Sequence, residues 1–234
     1  MPIVELICLA NSRKHSGRCV VGLRTDGQGW IRPISPYGDG ALFPWHYTLD
    51  DGTEAQLLDI VRLEVESHQP KAHQPEDWLL AEKTPWQLLF RPAPDFCRLL
   101  LRRAVVRGPD VLGNQLDRVP FNSFAQTPAP ASLALVWPRD VLWEIRRNDA
   151  RGGKRQSRVR FTLGSAGYNL SVTDPVWEKR LADLPPGVHR SSDAGLAADD
   201  EILLTVSLGE PYGADCYKLV AAVIVLPRSW IKAR

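Results

Sequence analysis

Seven cationic side chains crowd residues 146–160: Arg146, Arg147, Arg151, Lys154, Arg155, Arg158 and Arg160, against one acid, Asp149. This window carries +6 in a 234-residue chain whose formal total is +2, so the remainder sums to −4. Guanidinium and ammonium groups at such density suit a polyanion, because each phosphate neutralised releases condensed counterions whatever the base sequence. The middle of the window, Ala150-Arg151-Gly152-Gly153-Lys154, is too rich in glycine and charge for a core and reads as a mobile loop. A loop that merely solubilises the surface would have the same composition. A second set is Trp30 with Arg32, which alternation places on one face of a strand as a stacking surface beside a charge. Trp30 would serve equally well as the plug of one end of a barrel. A third is Arg13-Lys14, in the polar stretch Asn11–Gly17, where a strand-end anion pocket and a plain polar loop compete.

Catalytic constellations are missing from the sequence. It has no GxSxG elbow, no Walker loop, no HExxH and no GxGxxG after a strand. Glu64 and Glu66 share one strand face and read as solvated carboxylates, while Asp50-Asp51 and Asp199-Asp200 resemble turn and capping residues. His68 and His73 lie five apart in a Pro/Gln-rich stretch with no third ligand, an unpromising pattern for a metal. The expectation is a protein without catalytic activity, cofactor or metal.

Those side chains must be carried by something, and composition says what. Hydrophobic content of 44% and charged content of 24% are those of a globular chain. No apolar run approaches the roughly 18–20 residues that span a bilayer, and the N-terminal residues lack the basic region and cleavage site of a signal peptide. A cytoplasmic protein with no membrane partner is expected. Cys8, Cys19, Cys97 and Cys216 form no CxxC pair and read as small buried hydrophobes in a reducing compartment. Nineteen prolines and seventeen glycines break the chain every ten to fifteen residues, favouring short strands over long helices.

In the first half, Ile3–Leu9 is nearly continuous apolar, as a strand buried on both faces would be, and Asn11–Gly17 reads as a loop. Arg18–Leu23 and Trp30–Ile34 are strands joined through an Asp-Gly turn, and Leu57–Val65 is a half-buried strand. His68–Pro94, with five prolines, reads as irregular. Asp95–Val106 fits a short helix or a strand, with Arg98, Arg102 and Arg103 on a solvated side. Phe124–Pro130 is the most linker-like piece, so the boundary is set there: residues 1–125 as a first barrel with an irregular Pro-rich insertion, 126–234 as a second. Beyond it come Ser132–Trp137, Val141–Ile145, Val159–Leu163 and Tyr168–Val172 as strands. A helix begins at Asp174 (N-cap) and Pro175 (first helical position), then a polar loop spans His189–Asp200, and Ile202–Leu208 and Lys218–Leu226 are the last strands. Strand, strand, strand, short helix, strand, strand is the order of an OB-fold, a small Greek-key barrel whose face and loops commonly bind oligonucleotides. An SH3-like barrel or a small sandwich would share much of that spacing. The fold class expected is mainly β, two tandem OB-fold-like five-stranded barrels with a few short helices.

Several stretches together resemble a bacterial family, the dual OB-fold-containing proteins: Cys8–Lys14, Gly17-Arg18-Cys19, Trp30–Ser35, Tyr168–Pro175, Ser207–Pro211 and Tyr217–Ala221. The resemblance runs over essentially the whole chain. It implies two consecutive OB-type barrels, no established catalytic activity, and recognition of nucleic acids, sometimes beside partners from prokaryotic defence systems. It assigns no binding residues, and the basic window lies outside the shared motifs.

The functional expectation is a non-catalytic module that holds single-stranded or distorted RNA or DNA. Arg146, Arg147, Arg151, Lys154, Arg155, Arg158 and Arg160 would contact phosphates, with Arg13 and Lys14 beside them, and Trp30 with Arg32 would stack. The alternative is a protein-interaction adaptor whose barrels dock a partner subunit, a reading favoured by the small net charge of +2.

Overall fold

A computed structural model of the chain describes residues 1–15, 17–81, 84–148 and 153–227. Its first barrel is built from β1 (Ile3–Lys14), β2 (Gly17–Arg24), β3 (Trp30–Ile34), β4 (Ile60–His68) and β5 (Asp77–Leu80), with the four-residue helix α1 (Pro44–Tyr47) between β3 and β4. β1, β2 and β3 pair antiparallel, β3 pairs parallel with β5, β5 returns antiparallel to β4, and β4 closes on β1. This is the expected five-stranded ring. β6 (Gln87–Phe90) adds to β4 outside it.

The second barrel repeats the ring with one interruption. β9 (Leu133–Val136) and β10 (Arg139–Asn148) are two halves of one edge, parted at Pro138, whose ring cannot donate to a ladder. β10 pairs with β11 (Lys154–Leu163), β11 with β12 (Ala166–Val172), β12 parallel with β15 (Asp215–Leu226), β15 with β14 (Glu201–Tyr212), and β14 with β9. α3 (Pro175–Arg180) stands between β12 and β14, and β13 (Gly187–Arg190) flanks β10. Alternation decides the inside: Val159, Phe161 and Leu163 of β11 join Tyr168, Leu170 and Val172 of β12 in the core, while Arg158, Arg160, Asn169 and Ser171 point outward.

Between the barrels run α2 (Pro94–Ala104), β7 (Val105–Val106) and β8 (Arg118–Pro120). β7 pairs with β9 and β8 with β15, so these pieces, all upstream of residue 126, hydrogen-bond to strands of the second barrel. Arg98 of α2 is buried and bonds Glu201 at 2.9 Å, and Arg102 lies over the Trp137 ring at 5.5 Å. The helical side expected to be solvated is therefore partly a docking side. A 3.6-residue period shows where a face lies but not what covers it.

β1 is the wall the two barrels share. Val4, Leu6 and Cys8 point into the first core. Ile7 and Leu9 pack against Leu135, Leu203, Ile224 and Leu226 of the second barrel. A bulge between Cys8 and Ala10 shifts the alternation, and Ala10 packs with Leu133, Ala221 and Ala222. Burying one such aliphatic side chain contributes about 1.5–3 kcal/mol, and Thr205 Oγ1 adds a 2.6 Å bond to the Leu9 carbonyl. The strand expected to be buried on both faces is buried that way because a second barrel covers its outside. It also runs on to Lys14, so most of the expected Asn11–Gly17 loop is strand. β5 likewise replaces irregular structure in the Pro-rich stretch, its four residues being too short to show a period, and β13 occupies the start of the expected His189–Asp200 loop.

The helix start at Asp174 is as read. Asp174 Oδ1 accepts from the Val176 and Trp177 amides at 2.9 and 3.1 Å, and Oδ2 accepts from Val223 on β15 at 3.0 Å. Burial pushes this carboxyl above the usual carboxylate range against the pull of those three amides. Asp174→Ala should cost roughly 2 kcal/mol, the upper end for an N-cap, because it also leaves the Val223 amide unpaired. A shift in the urea midpoint checks this, and Asp174→Asn should recover part of the loss.

Candidate functional site

Where the barrels meet, their surfaces open into a cleft of about 800 Å³. The tip of the β1–β2 hairpin contributes Arg13, Lys14 and His15 to one wall, and the β10–β11 ribbon contributes Arg146, Lys154, Arg155, Gln156 and Arg158 to the other. Ser171 and Thr173 from β12 and its end, Glu210 and Tyr212 from β14, and Tyr217 and Lys218 from β15 complete it. Besides the buried Arg32, seven arginines and lysines line the cleft against three carboxylates, Asp117, Glu178 and Glu210. The local excess of four charges exceeds the +2 of the whole chain.

Geometry sorts the expected residues. In β10 and β11 the outward parity holds Arg146, Lys154, Arg158 and Arg160, and the opposite parity holds Arg147 and Arg155. Arg158 lies flat on the sheet, its Nε donating to Asn169 Oδ1 at 2.7 Å, its Nη1 to Ser171 Oγ at 2.8 Å, and its Nη2 to the Asn169 carbonyl. Burial and the neighbouring Arg146 charge pull its guanidinium below the ordinary arginine value. Arg155 Nη2 donates to the Leu181 and Leu184 carbonyls, both at 2.7 Å, where α3 ends. Arg146 donates to Gln156 at 3.2 Å, and Lys154 is exposed. Arg13 pairs with Glu178 at 3.0 Å, and its backbone amide bonds the Thr173 carbonyl at 2.9 Å.

Other expected residues are bound, buried or outside the cleft. Arg160 is bound to Glu144 by two bonds and, like Arg147, does not line the cleft. Arg151 and the centre of its loop lie outside the described residues. Trp30 packs half-buried in the apolar seam between the barrels, not in the cleft. That corrects its reading as a stacking platform; it fills the seam instead. Arg32 is the second correction. Its side chain is 1% exposed and donates to Asp77 at 3.0 Å, Ser132 at 3.0 Å and Ser207 at 3.3 Å, so it is an internal ion rather than a surface charge. Alternation placed Trp30 and Arg32 on the same face, and that face is the one the second barrel covers.

The cleft also contains residues that the sequence did not single out. Tyr212 is 72% exposed, with its ring centroid 6.4 Å from that of Tyr217, and Arg118 sits over Tyr217 at 5.2 Å. The Gly213-Ala214 reversal between two alternating runs was the available signal, since hairpin tips project the side chains beside them. Lys218 is buried and donates to Asn114 O, Asn114 Oδ1 and Leu116 O at 2.7–2.8 Å, which ties the 109–118 loop to β15. Burial draws its ammonium down to about 8, so it is still charged at neutral pH.

His73, weighed in the sequence only as a metal ligand, points at Glu210 instead. Its Nε2 lies 2.9 Å from Glu210 Oε2, while Lys71 and Lys14 reach Oε1 at 2.9 and 3.2 Å. One carboxylate of the second barrel thus holds three groups of the first. Burial alone would raise the Glu210 carboxyl, but hydrogen bonds from His73 and Lys71 and the charges of Lys14 and Lys71 hold it well below the usual carboxylate range.

Glu210 titrates near 4.5 when unfolded and well below that when folded, so its stabilisation is present above about pH 4.5 and is lost as acid protonates it. Glu210→Gln should be less stable than wild type at pH 7, and the gap should narrow as pH falls below 4.5. Urea denaturation of both proteins from pH 7 to pH 3 checks this; a pH-independent gap would contradict it.

A family model described as the dual OB-containing domain matches residues 4–223. A search of curated proteins finds no match to this chain.

Proposed function

We propose, for a chain that belongs to the dual OB-containing domain family, a non-catalytic module that holds single-stranded or locally distorted RNA or DNA in the cleft between its barrels. The observation that carries the reading is the meeting of Arg13 and Lys14 of the first barrel with Arg146, Lys154, Arg155 and Arg158 of the second around one cleft. Phosphates would lie along these cations, which read charge rather than sequence. Tyr212 and Tyr217 would take the stacking role, a contact worth on the order of 1–3 kcal/mol per base. Much of the cationic lining is already held by carboxylates, amides and carbonyls, so little side-chain entropy is lost on binding. The family resemblance extends the proposal to an accessory place beside prokaryotic defence proteins.

Fluorescence anisotropy with labelled oligonucleotides tests it. Wild type should bind single strands at low salt with an affinity that falls linearly in log–log salt. Arg146→Glu with Lys154→Glu should weaken binding severalfold and flatten the salt slope by roughly 0.7 per lost phosphate contact. Tyr212→Ala should weaken single-strand binding more than duplex binding. Absence of any binding at low salt would overturn the reading.

One observation favours a second reading, the adaptor. On α2, Phe96, Leu99 and Leu100 are 54%, 69% and 38% exposed and follow helical spacing on one side. If the protein works by docking a partner there, Leu99→Glu should remove that partner in a pull-down without changing oligonucleotide affinity.

A further inference from the structure

Beside the cleft stands an aromatic surface that the proposed binding mode leaves unused. Between β3 and β4 the chain makes a long excursion carrying Tyr37, Phe43 and Trp45. Trp45 is 65% exposed and Tyr37 51%. The other tryptophans among the described residues are buried or half-buried, so Trp45 is the one presented to solvent. The Phe43 and Trp45 rings stack with centroids 4.9 Å apart and planes 13° from parallel. Phe43 therefore supports the indole, the His46 ring lies tilted beside it at 5.3 Å, and the exposed remainder of Trp45 is open to another flat ring.

The local backbone fixes this arrangement. Pro44 starts α1 between the two rings, His46 Nδ1 accepts from the Phe43 amide at 3.0 Å, and Thr48 Oγ1 donates to the Pro44 carbonyl at 2.6 Å. An aromatic pair held on a rigid turn loses little freedom when a ligand stacks on it.

The same excursion is fastened to the hairpin that forms the cleft wall. Arg18 and Leu42 exchange two backbone bonds of 2.8 Å. Gly17 lies so close that a Cβ there would sit 2.4 Å from the Leu42 carbonyl oxygen. His15, at the cleft edge, is bound to Asp39 of the excursion. A strand leaving the cleft past Lys14 and His15 would run toward the excursion that carries the aromatic pair.

We propose that Phe43 and Trp45 form a second stacking site, for an unpaired nucleobase of a strand that has run out of the cleft over the β1–β2 tip. The inference rests on the cleft reading and adds to it a direction of travel and a minimum ligand length. Single-strand sites on OB-folds cover about 4–16 nucleotides each, so a ligand of about 4 would fill the cleft alone, whereas one of about 16 would reach the aromatic pair.

The experiment compares the affinities of full-length wild type, Trp45→Ala and Trp45→Phe for labelled oligothymidylates of about 4 and about 16 nucleotides. Trp45→Ala should weaken the long ligand by about 5- to 100-fold and leave the short one unchanged, and Trp45→Phe should restore most of the loss. The long ligand should also quench a fluorescence component that is missing from Trp45→Phe. Unchanged long-ligand affinity in Trp45→Ala would overturn the second site and leave the cleft reading standing. Equal weakening of both lengths would make Trp45 a structural residue and overturn it as well. Failure of wild type to bind either length at low salt would remove the cleft reading and this one together.

Discussion

The buried guanidinium of Arg32 is the constraint to which the rest of the structure answers. A charge removed from water is costly unless it is paired, and each hydrogen bond it makes offsets part of the desolvation. Here Asp77 supplies the pairing from the neighbouring strand, and Arg32 and Asp77 stand opposite each other in the parallel β3–β5 contact that closes the first barrel. Its Nη2 reaches Ser132 and Ser207, which belong to the second barrel, while Nε is buried without a hydrogen-bond partner. Glu76 beside Asp77 accepts from the amide and hydroxyl of the same Ser132 at 2.7 and 2.5 Å. Hydrogen bonds are directional where apolar packing is not. The seam of Ile7, Leu9, Leu135 and Leu203 holds the barrels together, and the Arg32 network selects the orientation in which they are held. Breaking one member of such a buried pair typically costs about 3–5 kcal/mol, because the other is left as an uncompensated charge.

That orientation creates the cleft. Arg13 and Lys14 end one strand of the first barrel, and Arg146 to Arg158 lie on a ribbon of the second; only the docking of β1 against β14 and β15 brings them onto facing walls. The cationic excess is concentrated where the barrels meet, and its side chains are positioned by carboxylates and neutral acceptors around them. Glu178 fixes Arg13, Glu210 fixes Lys14, and the ends of α3 and β12 fix Arg155 and Arg158. A modest net charge over the whole chain and a strongly positive cleft are therefore compatible.

Much of the architecture was legible along the chain because it rests on local physics. The alternation of Val159–Leu163 and Tyr168–Val172, the reversal between them and the Asp174-Pro175 helix start are all properties of neighbouring residues, and each stands as read. The readings that changed depend on contacts far apart in sequence. β5 has four residues, too few for a period, and becomes a strand only because β3 and β4 offer it two partners. Arg98 became a buried ion because Glu201 meets it across 103 positions.

The sequence by itself determined which side chains alternate together, where turns and helix ends fall, and that positive charge gathers in residues 146–160. Those features follow from dihedral preference and residue spacing, which act over a few positions. Only the tertiary structure decided which of the grouped residues meet water. Trp30 and Arg32 share a face whether that face is solvated or covered, and the second barrel covers it. Exposure is a property of what packs from outside, and that partner is written in a separate part of the chain.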